Sequence, residues 1–241
     1  MKKIVFRQSI TASELDIQFG KISLKRKKFY LGFLKKLERV YRGQGKDRVI
    51  VALCGPTGSG KSVLASVIED LAGQMQLPFR LAVVAQDGFH YRNSYLKRKN
   101  LRIFKGRYDT YGAKKLQSLL KQFKKGKTVA FPAYSRKKHE PAKGNKISGK
   151  KVLLLVEGIW LLHEKGNWSG LAKIFDYSFY IKADPRKARK GVIERFVRGG
   201  YSLEYAKKHY DAVDKKNSML VDKSRKRADE ILRPYYELSE K

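Results

Sequence analysis

Apolar and polar positions change period along this chain, and the changes divide it into segments. Before residue 46, Tyr30, Phe33, Leu34, Leu37 and Tyr41 recur at helical spacing, with Lys27, Lys28, Lys35, Lys36 and Arg39 between them. The spacing predicts a basic amphipathic helix ended by Gly43-Gln44-Gly45. Such a helix either lies on a membrane surface or packs its stripe on the rest of the protein, and packing is the reading adopted here. From Arg48 onward, short apolar runs alternate with helical patterns. Strands are expected at 48–54, 79–85, 128–132, 151–156 and 176–182, with a last short one near Ala228 to Leu232. Helices are expected at 61–75, 113–125, 185–198 and 203–221. In 113–125, Leu116, Leu119, Leu120 and Phe123 form the buried stripe. Asp184 and Pro185 suit an N-cap and first helical position, and Gly199-Gly200 a helix end. Strands separated by helices indicate a parallel sheet with crossover helices. Residues 1–46 therefore read as a basic helical extension, and 47–241 as one α/β domain.

Composition narrows the class. With 241 residues, 42% hydrophobic and 12% aromatic, the chain can bury a sizeable core. No run approaches the roughly 18 apolar residues of a membrane span, and the start, MKKIVFRQSI, is too short in apolar residues for a signal peptide. A single cysteine, Cys54, rules out an internal disulfide and fits a reducing compartment. It lies in the run Val49 to Cys54, where a buried strand position is expected. The expected location is the cytoplasm. Charge is the unusual feature: 55 Lys+Arg against 22 Asp+Glu, net +33. Residues 97–151 hold 19 Lys/Arg and two acids, Asp109 and Glu140. A field of this sign favours anionic partners.

The strongest motif is Gly55-Pro56-Thr57-Gly58-Ser59-Gly60-Lys61-Ser62, a match to G-x-x-x-x-G-K-[ST] between an apolar run and a helical stretch. Glycines let the backbone turn through positive φ and bring successive N–H groups to phosphate oxygens, and the following helix adds its positive end. Lys61 is expected to reach the β and γ phosphates and Ser62 to ligate Mg²⁺. ATP and Mg²⁺ are the expected cofactors. Two further acids end strands. The second strand runs into Gln86-Asp87-Gly88-Phe89-His90-Tyr91, and in an open α/β sheet ligands bind beyond the carboxyl ends of strands. A carboxylate at Asp87 can accept or orient the proton of an attacking hydroxyl; the same Asp-Gly is also an ordinary turn. The run Val152 to Val156 ends in Glu157-Gly158, an acid placed to hold Mg²⁺ directly or through water. Because it is Glu where Asp is commoner, a substrate contact is the other role open to it. An N-K-x-D base-reading motif is absent: Asn145-Lys146-Ile147-Ser148 lacks the acid. No LSGGQ-like transporter signature occurs either.

Taken together, GPTGSGKS, QDGFHY, FPAYSRKKHEP, LLLVEGIWLL and NSMLVDKSRKRADEIL resemble the uridine kinase, pantothenate kinase and phosphoribulokinase superfamily over residues 47–233. Lys105 to Tyr111 (KGRYDTY) is similar to a K-G-x-x-D-T-[FY] segment of its nucleoside/nucleotide kinase-like members. The resemblance implies a P-loop NTPase fold: a three-layer α/β/α domain with a mainly parallel sheet and a helical lid. It implies a phosphotransferase with an alcohol group as acceptor, Asp87 as base and Glu157 as second acid. His90, Tyr91, Tyr134, Arg136 and His139 then lie on the substrate side. Arg186, Arg189, Arg195 and Arg198 become lid candidates, of which Arg189, Arg195 and Arg198 fit the match and Arg195 stands with the catalytic group. Uridine-specific members usually show D-x-F-Y where this chain has D-G-F-H, which is closer to the pantothenate kinase side. The segment Tyr134 to Pro141 nevertheless lacks Y-S-H-x-x-Y-D, so the acceptor does not carry over. The expected partner is a small hydroxyl compound, with an anionic one favoured by the basic 97–151 segment. A nucleic-acid-directed kinase or ATPase is the alternative, although no RNA-binding module or regular aromatic spacing accompanies the charge. A non-catalytic nucleotide binder would more naturally have lost Lys61, Asp87 or Glu157. A homodimer is left open.

Overall fold

The computed structural model describes residues 24–233; the first 23 residues of the expected extension and the last eight of the expected domain lie outside them. The chain runs α1 (Leu24–Gln44), β1 (Arg48–Cys54), α2 (Lys61–Gly73), β2 (Arg80–Ala85), α3 (Asn93–Arg98), α4 (Ala113–Lys124), β3 (Val129–Ala130), β4 (Ala133–Ser135), β5 (Glu140–Ala142) and β6 (Lys146–Ile147). It continues through β7 (Val152–Gly158), β8 (Tyr177–Ile181), α5 (Pro185–Arg198), α6 (Leu203–His209), α7 (Lys215–Lys223) and β9 (Glu230–Leu232).

Five strands form an all-parallel sheet in the order β2-β7-β1-β8-β9. β1 and β7 occupy central positions and are apolar almost throughout, because both faces are covered and neither can carry a polar row. Alternate residues of β1 feed two cores. Ile50, Ala52 and Cys54 join Leu154 and Val156 with the α4 residues Leu116, Leu120 and Phe123 and the buried Trp160 and Trp168. Val49, Val51 and Leu53 join Leu153 and Leu155 with Leu64, Val67, Ile68 and Leu71 of α2. Cys54 is a fully buried member of the first core.

The α1 stripe belongs to the second core. Tyr30, Phe33, Leu34, Leu37 and Tyr41 are buried, Phe33 sits edge-on to Phe179 of β8, and Tyr41 meets Phe79. The apolar face of α1 is thus spent within the protein. No helix among the described residues is long and apolar enough to cross a membrane.

Two expected elements differ. Residues 128–132 do not join the main sheet: Val129 and Ala130 pair antiparallel with Ile147 and Lys146. Val129 and Phe131 are apolar enough to look like a core strand, but Pro132 removes a ladder donor and the chain turns into the β4–β5 hairpin. The helix expected at 203–221 is two, α6 and α7, joined by a π-helical turn at Tyr210–Asp214. That turn puts Tyr210, Val213 and Asp214 inward together.

Leu37→Ala removes a fully buried side chain of α1 and should destabilise the protein by about 2–5 kcal/mol in urea unfolding. The exposed Lys35→Ala should change stability by under about 0.5 kcal/mol. Equal, small effects would mean that α1 is not integral to the core.

Candidate active site

The site lies at the carboxyl ends of β1, β7 and β2, which are in register there: Leu53 pairs with Glu157, and Glu157 with Ala85. The P-loop, residues 55–62, joins β1 to α2. Gly58 has φ 79° and Gly60 φ 87°, left-handed values that bend the loop around its own N–H groups. Gly58 also lies beneath α5: a β-carbon there would run into the Ala188 carbonyl and come within 2.9 Å of Val192 Cγ2. The loop and the helix expected to act as lid are therefore in contact.

Lys61 is buried. Its ammonium donates to the Pro56 carbonyl at 2.8 Å and the Ser59 hydroxyl at 3.2 Å. Burial pulls its pKa below the lysine range, against the neighbouring Glu157, Cys54 and Asp87, which push it up. The Ser62 hydroxyl donates to Glu157 Oε1 at 3.0 Å. Burial holds the Glu157 carboxyl above its ordinary value, and Asp87 adds to this; Lys61 and Ser62 act the other way.

Asp87 stands on the single turn Gln86–Phe89 that follows β2. Gly88 is required there, because a β-carbon would collide with the Pro132 backbone, where the β4 hairpin crosses the turn. Desolvation pushes the Asp87 carboxyl up, but His90, Arg136, Arg195 and Lys61 outweigh it and leave the pKa below normal. Asp87 and Glu157, two interacting acids, are thus driven apart, Asp87 toward the anion and Glu157 toward the acid. His90 Nε2 is 3.8 Å from Asp87 Oδ1. Its ring stacks on Tyr111, with centroids 3.8 Å apart, and burial brings its pKa down to about 4 despite Asp87.

Other sequence candidates separate by position. Tyr134 on β4 is enclosed, 5.4 Å from the His90 ring, with its hydroxyl pKa raised by burial and then by Asp87. Arg136 follows in the hairpin and acts on both Asp87 and Glu157. His139, at φ 50°, turns the hairpin and sets its ring 5.6 Å from Tyr201. Tyr91 packs on Tyr95, at 4.8 Å. From α5, Arg195 acts on Lys61 and Asp87, whereas Arg186 and Arg198 are exposed. Arg189 is also exposed, 4.0 Å from Asp211 and over the Tyr210 ring.

The sequence reading missed Asp214. The π-helical turn aims this buried carboxyl at the site, where Arg195, His209 and the Thr57 hydroxyl oppose the upward push of burial on its pKa. An aspartate inside an expected helix gives no sign of facing inward; only the extra residue of the turn does that. No cluster of three or more His, Cys, Asp or Glu placed to hold a metal occurs among the described residues. Ser62 and Glu157 instead offer two oxygens side by side.

A parallel sheet with a glycine-rich phosphate cradle after its central strand defines a P-loop nucleotide-binding protein. The chain belongs to the Phosphoribulokinase / Uridine kinase family, whose model matches residues 50–236. The uncharacterized protein YggC of Escherichia coli K12 is 37% identical over 171 residues, 70% of this chain and 71% of that protein. The pantothenate kinase of Brucella ovis is 31% identical over 161 residues, 64% of this chain and only half of that protein. Among solved structures, a Silicibacter protein described as a candidate fructose transport system kinase superposes with a TM-score of 0.73 at 25% identity, covering 83% of this chain and 98% of that one.

His90 should stay neutral down to about pH 4 in the folded protein, against about 6.5 when unfolded. The unfolded chain then binds the extra proton between those values, so stability should fall as pH drops from about 6.5 toward 4. A His90 imidazole seen by NMR to titrate near 6.5 in the folded protein would refute this. Gly88→Ala should push the β4 hairpin off the Asp87 turn and lower turnover at least about tenfold, with ATP affinity little changed by equilibrium binding.

Proposed function

We propose that this protein transfers the γ-phosphoryl group of ATP to a hydroxyl group of a small molecule. One observation carries the reading: a carboxylate, Asp87, is kept anionic between Lys61, Arg136 and Arg195, next to the phosphate cradle and the Ser62–Glu157 pair. It keeps 37% of its side-chain surface open, so an acceptor can reach it.

In this reading the P-loop amides and Lys61 hold the triphosphate. Ser62 and Glu157 fit Mg²⁺, which takes hard oxygen ligands and completes its shell with water and phosphate oxygens; bound there, it would neutralise charge on the β and γ phosphates. The acceptor oxygen attacks the γ-phosphorus in line, the bond from γ-phosphorus to the β,γ-bridging oxygen breaks, and ADP leaves. Asp87 accepts the hydroxyl proton as the new P–O bond forms. Lys61 and Arg195 stabilise charge gathering on the transferred group. Ser62, Glu157, Arg189, Arg195 and Arg198 keep the assignments made from sequence as proposals, with Arg195 favoured among the arginines because it alone of the α5 arginines acts on Asp87 and Lys61.

The net charge of +33 supports a second reading, a nucleic-acid-directed enzyme. Its signature is turnover stimulated by RNA or DNA that collapses with salt.

Asp87→Asn should lower kcat about 10²- to 10⁴-fold while ATP binding changes little. Lys61→Ala should impair both. Near-normal turnover of Asp87→Asn on a hydroxyl acceptor would remove Asp87 from the chemistry.

A further inference from the structure

Only two acids are buried among the described residues, Glu157 and Asp214. Glu157 has a place in the phosphate chemistry above; Asp214 has none. Its setting is nonetheless specific. Helices α6 and α7 would run on as one but for the π-helical turn Tyr210–Asp214, and turns of this kind are frequent at functional sites.

The turn joins two parts that are held differently. Beyond it α7 is tied to the body of the protein. Asn217 Nδ2 donates to the Gly106 carbonyl at 3.1 Å, the Tyr180 hydroxyl of β8 donates to Asp222 Oδ1 at 3.2 Å, and Val221 belongs to the first core. Before it α5 and α6 share a small apolar cluster of their own, Val192, Ile193, Ala206 and Tyr210. Phe196 packs against that cluster and brings its ring within 4.8 Å of the His209 ring. Arg195 is carried by this second part, and Asp214 stands where the two meet.

The hydrogen bonding of the carboxyl is incomplete. The Thr57 hydroxyl of the P-loop donates to it, so the acid touches the phosphate cradle. His209 Nε2 comes only to 3.8 Å from Oδ2, too far for a hydrogen bond. Oδ2 is sealed from solvent with no donor among the described residues, a costly state for a carboxylate oxygen. Burial pushes the Asp214 pKa up; of the influences that oppose this, Arg195 is the largest, ahead of His209 and Thr57. Arg195 thus already acts on this carboxyl, and Oδ2 is the acceptor left open to it. A guanidinium has five donors in a planar fork, enough to meet a carboxylate with one edge and a phosphoryl oxygen with another.

We propose that Asp214 is a positioning residue for phosphoryl transfer: held to the P-loop by Thr57, it takes one edge of the Arg195 guanidinium at Oδ2 and so aims the other edge at the group being transferred. The inference rests on the phosphotransferase reading and adds to it the residue that orients the arginine. An arginine on a helix has many rotamers, and a fixed carboxylate removes that freedom before the transition state is reached. Asp214 therefore acts on the phosphoryl group in transfer and not on the nucleotide that remains.

The test needs no acceptor. Calorimetric binding of ADP with Mg²⁺ is compared with binding of ADP, Mg²⁺ and aluminium fluoride, in which the fluoride complex stands in for the phosphoryl group in transfer. The full chain is used, as wild type, Asp214→Asn, Arg195→Ala and the double variant. Wild type should bind the fluoride complex at least about 100-fold more tightly than ADP alone, as a transition-state mimic does. Arg195→Ala should remove about 10- to 100-fold of that excess, the range of a hydrogen bond to a charged group. Asp214→Asn fills the same space without the charge and should remove at least about tenfold, with ADP affinity within about twofold of wild type. The double variant should lose no more than about threefold beyond Arg195→Ala, because one residue acts through the other. Three results overturn the inference: either single variant keeps the full excess, the two losses add, or Asp214→Asn weakens ADP alone as much as the fluoride complex. The last is what a merely structural acid would give. Should Asp214→Asn fail to fold by urea unfolding, Thr57→Val breaks the same link from the loop and is held to the same outcomes. A wild type with no fluoride excess overturns the phosphoryl-transfer reading itself.

Discussion

Lys61 and Glu157 are buried ionisable groups within the reach of each other's charge, and Asp87 opens the same cluster to solvent. Removing any of these charges from water alone would cost several kcal/mol, so each depends on the others and on the backbone that presents them. That dependence constrains the fold. Three parallel strands must end in register, because Glu157 faces Leu53 on one side and Ala85 on the other. Glycine is needed where the hairpin crosses the Asp87 turn. Two cores, one on each face, keep the sheet rigid enough to hold these ends in place.

The electrostatics also assign direction. Two acids in one cleft cannot both ionise freely, and here the cations decide the outcome. His90 favours the Asp87 anion only when protonated, but Arg136, Arg195 and Lys61 favour it throughout, while Glu157 is more deeply enclosed and has Asp87 as an added burden. The same two residue types at strand ends therefore acquire different characters from surroundings contributed by distant parts of the chain: the hairpin supplies Arg136 and α5 supplies Arg195.

How much of this was legible in the sequence follows from the range of the interactions. Strand β1, the P-loop and α2 are adjacent in the chain, and their pattern is local, so the phosphate cradle reads directly from residues 48–73. The α1 stripe is equally clear, because a helix face is a local property, and its burial against Phe79 and Phe179 completes it. Residues 128–132 misled because apolar alternation says that a residue is buried, not which sheet receives it; Pro132 decided that. The extent of 203–221 misled for a related reason: helical spacing continues through a π turn with one residue inserted, and the insertion is what turns Asp214 inward. Arg195 was set apart from Arg189 and Arg198 by the family resemblance alone; helical spacing presents all three, and the packing of Ala188 and Val192 over Gly58 fixes how the helix is turned.

Net charge was the least informative signal, for a physical reason. Sixteen of the 19 bases in residues 97–151 stand in solvent, where salt screens them and each contributes little to recognition. Position matters more than number. Lys105 and Arg136 differ from the rest because the chain pays attention to them: a turn strapped by Trp160, Trp168 and Asn217 delivers the first, and the β4–β5 hairpin delivers the second. A lysine on a surface helix can be exchanged with little consequence, but one anchored to Asn93 and His139 beside the proposed base is fixed to within a hydrogen bond. The diffuse field can raise the local concentration of any anion, but it carries no geometry of its own.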